Sequence, residues 1–124
     1  MDEAMMNNKE NKDLDLIAME ILLHAGNGRF KVVEAFEKTT ETDYVKAKKL
    51  MDEAYEEIKK AHEVQTRAIQ SIAACELEEE YSVLFSHAQD TLMTVYSEYN
   101  VSKRVLELIG NMEERLQKLE KTHV

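Results

Sequence analysis

The residues of this 124-residue chain with functional chemistry are four histidines, 25 acidic side chains and one cysteine. One pair stands apart. In the stretch SHAQDTLMT, Ser86 to Thr94, His87 and Asp90 are the only charged or titrating groups, although 33% of the chain is Asp, Glu, Lys or Arg. An imidazole titrates near neutral pH, so its free ring nitrogen is nucleophilic there. It can attack a phosphoryl group, move a proton or bind a metal, and a nearby carboxylate can orient the ring. On a helix, positions three and four apart share a face. That places His87, Asp90, Thr91 and Thr94 on one polar stripe with Gln89 beside it. A structural histidine at a bundle interface, satisfied by a threonine hydroxyl or a backbone carbonyl, fits the same spacing, and both readings stand.

The other candidates carry less. His62, in AHEVQT, has Gln65 and Thr66 three and four residues on, a second polar patch best read as structural. His24 follows Ile-Leu-Leu and precedes two glycines, which reads as structural or as a helix end. His123 falls in the C-terminal tail. A di-iron bundle needs Glu-x-x-His twice with further glutamates, and the one such pair here is Glu120–His123. HExxH, GxSxG, glycine-rich phosphate loops and paired cysteines are absent, which removes most support for redox and hydrolytic chemistry. A metal site built from Asp90 of several subunits stays open, and its hard oxygen ligands favour Mg²⁺.

Three elements must position these residues. Residues 1–11 read as a flexible, polar tail ahead of one domain over residues 12–124. From Asp13 to Lys38 an apolar series follows, with Leu16, Met19 and Leu23 on one stripe and Ile17, Ile21 and Leu22 beside it. The sequence AGNG at 25–28 interrupts it, and its glycines loosen a helix or allow close packing. Thr42 is the expected N-cap of a second helix over 43–74, whose stripe is Ala47, Met51, Ala54, Ile58, Ala61, Gln65, Ala68 and Ile72. The acidic run 76–80 ends it and suits the start of a third helix. That helix repeats steps of three and four from Tyr81 through Leu84, Ala88, Thr91, Val95, Glu98, Ser102, Val105, Ile109, Met112 and Leu116 to Leu119. Short connections make neighbours antiparallel. The fold class is therefore all-α, an up-down-up three-helix bundle.

Composition agrees. Hydrophobic residues make up 44%, with no Pro, no Trp and 3 Gly, a long-helix composition. The formal charge of −9 lacks the basic footprint that nucleic-acid binding requires; an acidic surface suits a basic protein partner. Cys75 is the single cysteine, so no internal disulfide forms. No uncharged run approaches the ~20 residues that span a bilayer, and no apolar signal core opens the chain. A cytoplasmic protein without membrane insertion is expected.

SHAQDTLMT resembles the active-site motif HAQDHLM of the lactose/cellobiose-type IIA proteins of the bacterial phosphoenolpyruvate-dependent sugar phosphotransferase system. AHEVQTRAI at 61–69 is similar to the family's AH-x-x-QT segment, AGNGRF at 25–30 to AGDARS, and DYVKAKKLMDEA at 43–54 to its usual entry into the second helix. The resemblance covers about residues 13–120. It implies a homotrimer of three-helix units, a nine-helix bundle. His87 would accept a phosphoryl group from the phosphohistidine of HPr. It would then pass the group to a cysteine of the IIB component during uptake of a β-glucoside, lactose or cellobiose-type sugar. Asp90 would sit on the trimer axis, where three copies surround Mg²⁺ or another divalent cation. Gln89, Thr91, Thr94, His62 and Gln65 would shape the site and the interface. The chain departs from the family where Thr91 replaces a second histidine, Gly28 an alanine and Phe30 a small polar residue. The competing reading, from another class, is a non-catalytic bundle protein in which the His87–Asp90 pair only sets assembly.

Overall fold

The computed structural model describes residues 3–76 and 82–122, with side chains from Leu14 onward. Three helices make up these residues: α1 over Glu3–Thr40, α2 over Tyr44–Ala73 and α3 over Val83–Thr122. At 1.5 Å per residue they run roughly 57, 45 and 60 Å. Cross-links fix their directions. His24 and Lys31 of α1 meet Glu57 and Glu53 of α2, so these two are antiparallel. Asp15 and Arg29 of α1 meet Ser82 and Glu98, so α3 runs back alongside α1. This is the expected up-down-up bundle. Helix α1 begins at Glu3, ahead of the apolar series, and no helix boundary falls at residue 11 or 12.

The core consists of one line of residues from each helix. Helix α1 contributes Leu14, Ala18, Ile21, Ala25, Val32 and Ala35; α2 contributes Ala47, Met51, Ala54, Ile58, Ala61, Val64 and Ala68; α3 contributes Phe85, Ala88, Leu92, Val95 and Tyr99. For α2 the sequence pattern and the buried line nearly coincide. In α1 they do not, because Leu16, Met19 and Leu23 face solvent, as do Phe30 and Val33. Leu14, Ile21 and Val32 alternate with small residues on the inner line instead, and the alanines and a glycine let α1 and α2 approach closely. The glycines of AGNG do not interrupt α1. A Cβ on Gly28 would stand 2.9 Å from Ile58 Cγ1 and 3.3 Å from the Ala54 carbonyl oxygen, whereas one on Gly26 would meet nothing within 4 Å. Close packing is therefore the use of Gly28 alone.

The C-terminal ends of α1 and α2 use the same device. After α1, the Asp43 amide donates to the Lys38 carbonyl and the Thr42 amide to that of Thr39. After α2, the Glu76 amide donates to Ser71 and the Cys75 amide to Ile72. These six-to-one and five-to-two bonds satisfy the terminal carbonyls and need a left-handed residue, here Thr42 at φ 62° and Cys75 at φ 59°. Thr42 thus closes α1, and the cap of α2 is Asp43, whose carboxylate accepts from the Lys46 amide at 3.2 Å. Ser82 caps α3, accepting from the Phe85 amide at 3.1 Å and donating to Asp15 at 3.0 Å. The acidic run's role as a helix start, Tyr81 included, lies largely outside the described residues.

The register set by Asp15–Ser82 and Arg29–Glu98 brings the end of α1 level with about residue 108 of α3. Leu106 and Gly110 still share a groove with Thr39 and Tyr44 at the α1–α2 turn. Beyond them, α3 continues past the bundle to Thr122.

Candidate functional site

His87 lies one turn into α3, positioned by Phe85, Ala88 and Leu92, which anchor the opposite face of that turn in the core. Its side chain is exposed, and among the described residues it makes no hydrogen bond. Asp90 is exposed one turn on, its carboxylate in no ion pair with any described residue. Gln89 and Thr91 are half-buried. Thr94 is exposed, and its hydroxyl donates to the Asp90 carbonyl at 2.8 Å. On the face expected of the third helix, His87, Asp90 and Thr94 are exposed and Thr91 is half-buried. No side-chain bond joins His87 to Asp90 or to either threonine, so no described residue satisfies the imidazole.

His62 and Gln65 sit half-buried on α2. The His62 ring meets Tyr96 of α3 edge-on, with centroids 5.0 Å apart. Because α2 and α3 run antiparallel, the turn of α2 after His62 lies level with the turn of α3 before Tyr96, that of Leu92 and Met93. Gln65 Oε1 is buried there without a partner among the described residues. Tyr96 had no signal in the linear pattern, since its partner lies on another helix.

The remaining histidines separate from the site. His24 lies mid-helix, correcting the helix-end alternative, with Nδ1 2.8 Å from Glu57 Oε2. An ionised carboxylate only accepts, so Nδ1 carries the proton. This bond, aided by Asn27 and Lys60, holds the Glu57 carboxyl below its ordinary value despite partial burial. Glu98, placed on the apolar seam by sequence spacing, instead forms a two-pronged pair with Arg29 at 3.0 and 3.1 Å. His123 lies outside the described residues. Cys75 is exposed at the end of α2.

Among the described residues, no three His, Cys, Asp or Glu side chains of one chain gather into a metal site. Asp90 offers one unpaired hard oxygen donor group, which fits a divalent cation only where several chains each contribute one. No described helix is long and apolar enough to cross a membrane.

Fold and site together define a helical bundle that displays an imidazole on its surface. Residues 16–110 match the family described as PTS system, Lactose/Cellobiose specific IIA subunit. The lichenan-specific phosphotransferase enzyme IIA component of Bacillus subtilis (strain 168) is 35% identical over 105 residues, 85% of this chain and 94% of that one. The crystal structure of the PTS cellobiose-specific enzyme IIA from Bacillus anthracis superposes with a TM-score of 0.75 at 33% identity, covering 82% of this chain and 92% of that one. The IIA(Chitobiose) of Escherichia coli, solved in solution as its complex with HPr, superposes with a TM-score of 0.70 at 26% identity, covering 81% and 96%. The chain belongs to the lactose/cellobiose-specific IIA family of the phosphotransferase system.

Proposed function

We propose that this chain is a phosphohistidine carrier that moves a phosphoryl group from HPr to the sugar-specific IIB component. The observation that carries the reading is His87 itself: an exposed imidazole with no partner among the described residues, on a helix, at the histidine of the family motif. Transfer between proteins requires little chemistry from the carrier beyond position. A neutral ring nitrogen of His87 attacks the phosphorus of the donor's phosphohistidine. The new N–P bond forms as the donor's N–P bond breaks, and the donor imidazole keeps the electron pair. In the second step an acceptor cysteine thiolate of IIB attacks the same phosphorus and His87 leaves as imidazole. The homologous IIA(Chitobiose) forms a complex with HPr, which supports HPr as donor. A net charge of −9 favours docking to a basic donor face. The carried group serves uptake of a β-glucoside, lactose or cellobiose-type sugar, in the cytoplasm.

Self-assembly as a homotrimer belongs to the same reading. Exposed apolar residues run along α1 at Leu16, Met19, Leu23, Phe30 and Val33, a stripe too long for a lone bundle to leave wet. Thr91, Thr94 and Gln89 then line an interface beside His87. Asp90 copies converge on the axis and hold Mg²⁺ or another divalent cation, which supplies counter-charge to the three carboxylates.

Mass spectrometry after incubation with phosphoenolpyruvate, the general phosphotransferase enzyme and HPr tests this reading. One phosphoryl group per chain is expected, lost on addition of a matching IIB. A chain that takes none while assembling normally is the bundle protein of the second reading.

A further inference from the structure

Four residues share the helix face of His87 at spacings of three and four: Val83, Leu84, Asp90 and Thr91. Two of them are apolar. Asp90 is exposed, and as a carboxylate it accepts hydrogen bonds and donates none. A phosphoryl group on the imidazole brings about 1.5 to 2 negative charges and three acceptor oxygens, so Asp90 repels it. Of the four, Thr91 alone has a proton to donate.

Thr91 is also aimed and unengaged. Helical side chains lean toward the N-terminus, so Thr91 leans back over the turn of His87, while Val83 and Leu84 lean away from it. A threonine within a helix can donate to the carbonyl four residues back. Thr39, Thr40 and Thr94 do so, to Ala35, Phe36 and Asp90 at 2.9, 3.0 and 2.8 Å. The corresponding carbonyl for Thr91 is that of His87, and among the described residues the Thr91 hydroxyl makes no such bond. Thr94, two turns from His87, already uses its one proton on Asp90. Half-buried and β-branched, Thr91 has few rotamers to lose when it binds.

We propose that the Thr91 hydroxyl is a phosphoryl-binding group, donating a hydrogen bond to a phosphoryl oxygen once His87 is phosphorylated. The proposal rests on the carrier reading above. The bond offsets the repulsion from Asp90 and holds the group in one orientation for the acceptor. A neutral donor stabilises the phosphorylated state less than a cation would, which leaves the group free to move on. The assignment is particular to this chain, because Thr91 stands where the family motif has a second histidine.

The transfer equilibrium between phosphorylated HPr and the full chain, read by intact mass, tests it. Thr91→Val keeps the shape and removes the hydroxyl, Thr91→Ala removes hydroxyl and methyl together, and Thr91→Ser keeps the hydroxyl alone. The first two are expected to lower the equilibrium constant at least about tenfold, as loss of one hydrogen bond to a charged group does. Thr91→Ser should stay within about twofold of wild type, and the ³¹P resonance of its phosphohistidine should stay with that of wild type while the other two shift. Circular dichroism and sedimentation are expected to match wild type throughout. A folded Thr91→Val or Thr91→Ala chain that equilibrates like wild type overturns the proposal. So does a Thr91→Ser chain that loses as much as Thr91→Val, since the methyl would then be the cause. A wild type that takes no phosphoryl group rejects the carrier reading and the role of Thr91 with it; a wild type that takes it, matched by all three variants, rejects the role of Thr91 alone.

Discussion

His24 Nδ1 donates to Glu57 Oε2 across 2.8 Å, tying α1 to α2. Of the three described histidines, His24 is held by a charge, His62 lies edge-on to Tyr96 at 5.0 Å, and His87 is exposed without a partner among the described residues. A nucleophilic nitrogen must reach a phosphorus atom on another protein, so only His87 meets the requirement in the described chain. His24→Gln and His62→Gln are expected to take up one phosphoryl group, and His87→Gln none, by intact mass. Label on the His87→Gln chain would contradict the assignment.

The same His24–Glu57 pair predicts a pH effect on stability. The folded carboxyl is depressed by the bond from His24 first. A depressed acid contributes stability above its unfolded value, here ordinarily 4.5, and loses it as pH falls through the folded value. With the pair partly exposed, its contribution is about 1 kcal/mol. Glu57→Gln should therefore be less stable than wild type by about that amount at neutral pH in urea titrations. The gap should close as pH falls below the ordinary carboxylate range. A gap that stays constant into acid would show that lost packing, not charge, caused it.

Most of α2 and the His87 stripe were legible because each depends on spacing along one helix. Ala47 through Ala68 bury as the steps of three and four require, and Asp90 shares the exposed face of His87. What depends on a second chain segment was not legible. In α1 the side chains Leu16, Met19 and Leu23 form a regular stripe, yet Ile21 beside it and the small residues Ala18, Ala25 and Gly28 take the core. Size complementarity to Ala54 and Ile58 decides that, and α1 alone does not contain it. Thr42 likewise gives no sign of a helix stop, since a glycine normally holds the left-handed position; the bonds from Thr42 and Asp43 to the carbonyls of Thr39 and Lys38 offset its strain.

The two glycines of AGNG should respond oppositely to alanine. Each gains roughly 1 kcal/mol of helix propensity. At Gly26 nothing opposes it, so Gly26→Ala should raise the stability by about that amount. At Gly28 the new methyl lies 2.9 Å from Ile58 Cγ1, a fully buried side chain, and 3.3 Å from the Ala54 backbone oxygen. Overpacking costs roughly 1–3 kcal/mol, so Gly28→Ala should be destabilising by about 1 kcal/mol in net. Thermal or urea unfolding of the two single variants checks this. A stabilised Gly28→Ala would mean that α1 and α2 separate readily at this contact.

The last prediction concerns Asp90 at the proposed threefold axis. Its carboxylate is exposed and has no counter-charge among the described residues. Three copies brought to one axis repel, by about 1–4 kcal/mol per pair at contact distances of ~4 Å, depending on how much water remains. A divalent cation reverses that sign, and its removal should weaken the wild-type assembly, most strongly at low ionic strength where screening is least. Asp90→Asn removes the three charges together with the reason for the cation. Its assembly, followed by sedimentation, should be indifferent to chelator and to salt, while His87 still accepts a phosphoryl group. Metal analysis supplies the second readout: about one divalent ion per three wild-type chains and none in the variant. A wild-type assembly that carries no metal and withstands chelator at low salt would show that Asp90 faces solvent or another partner, not its own copies.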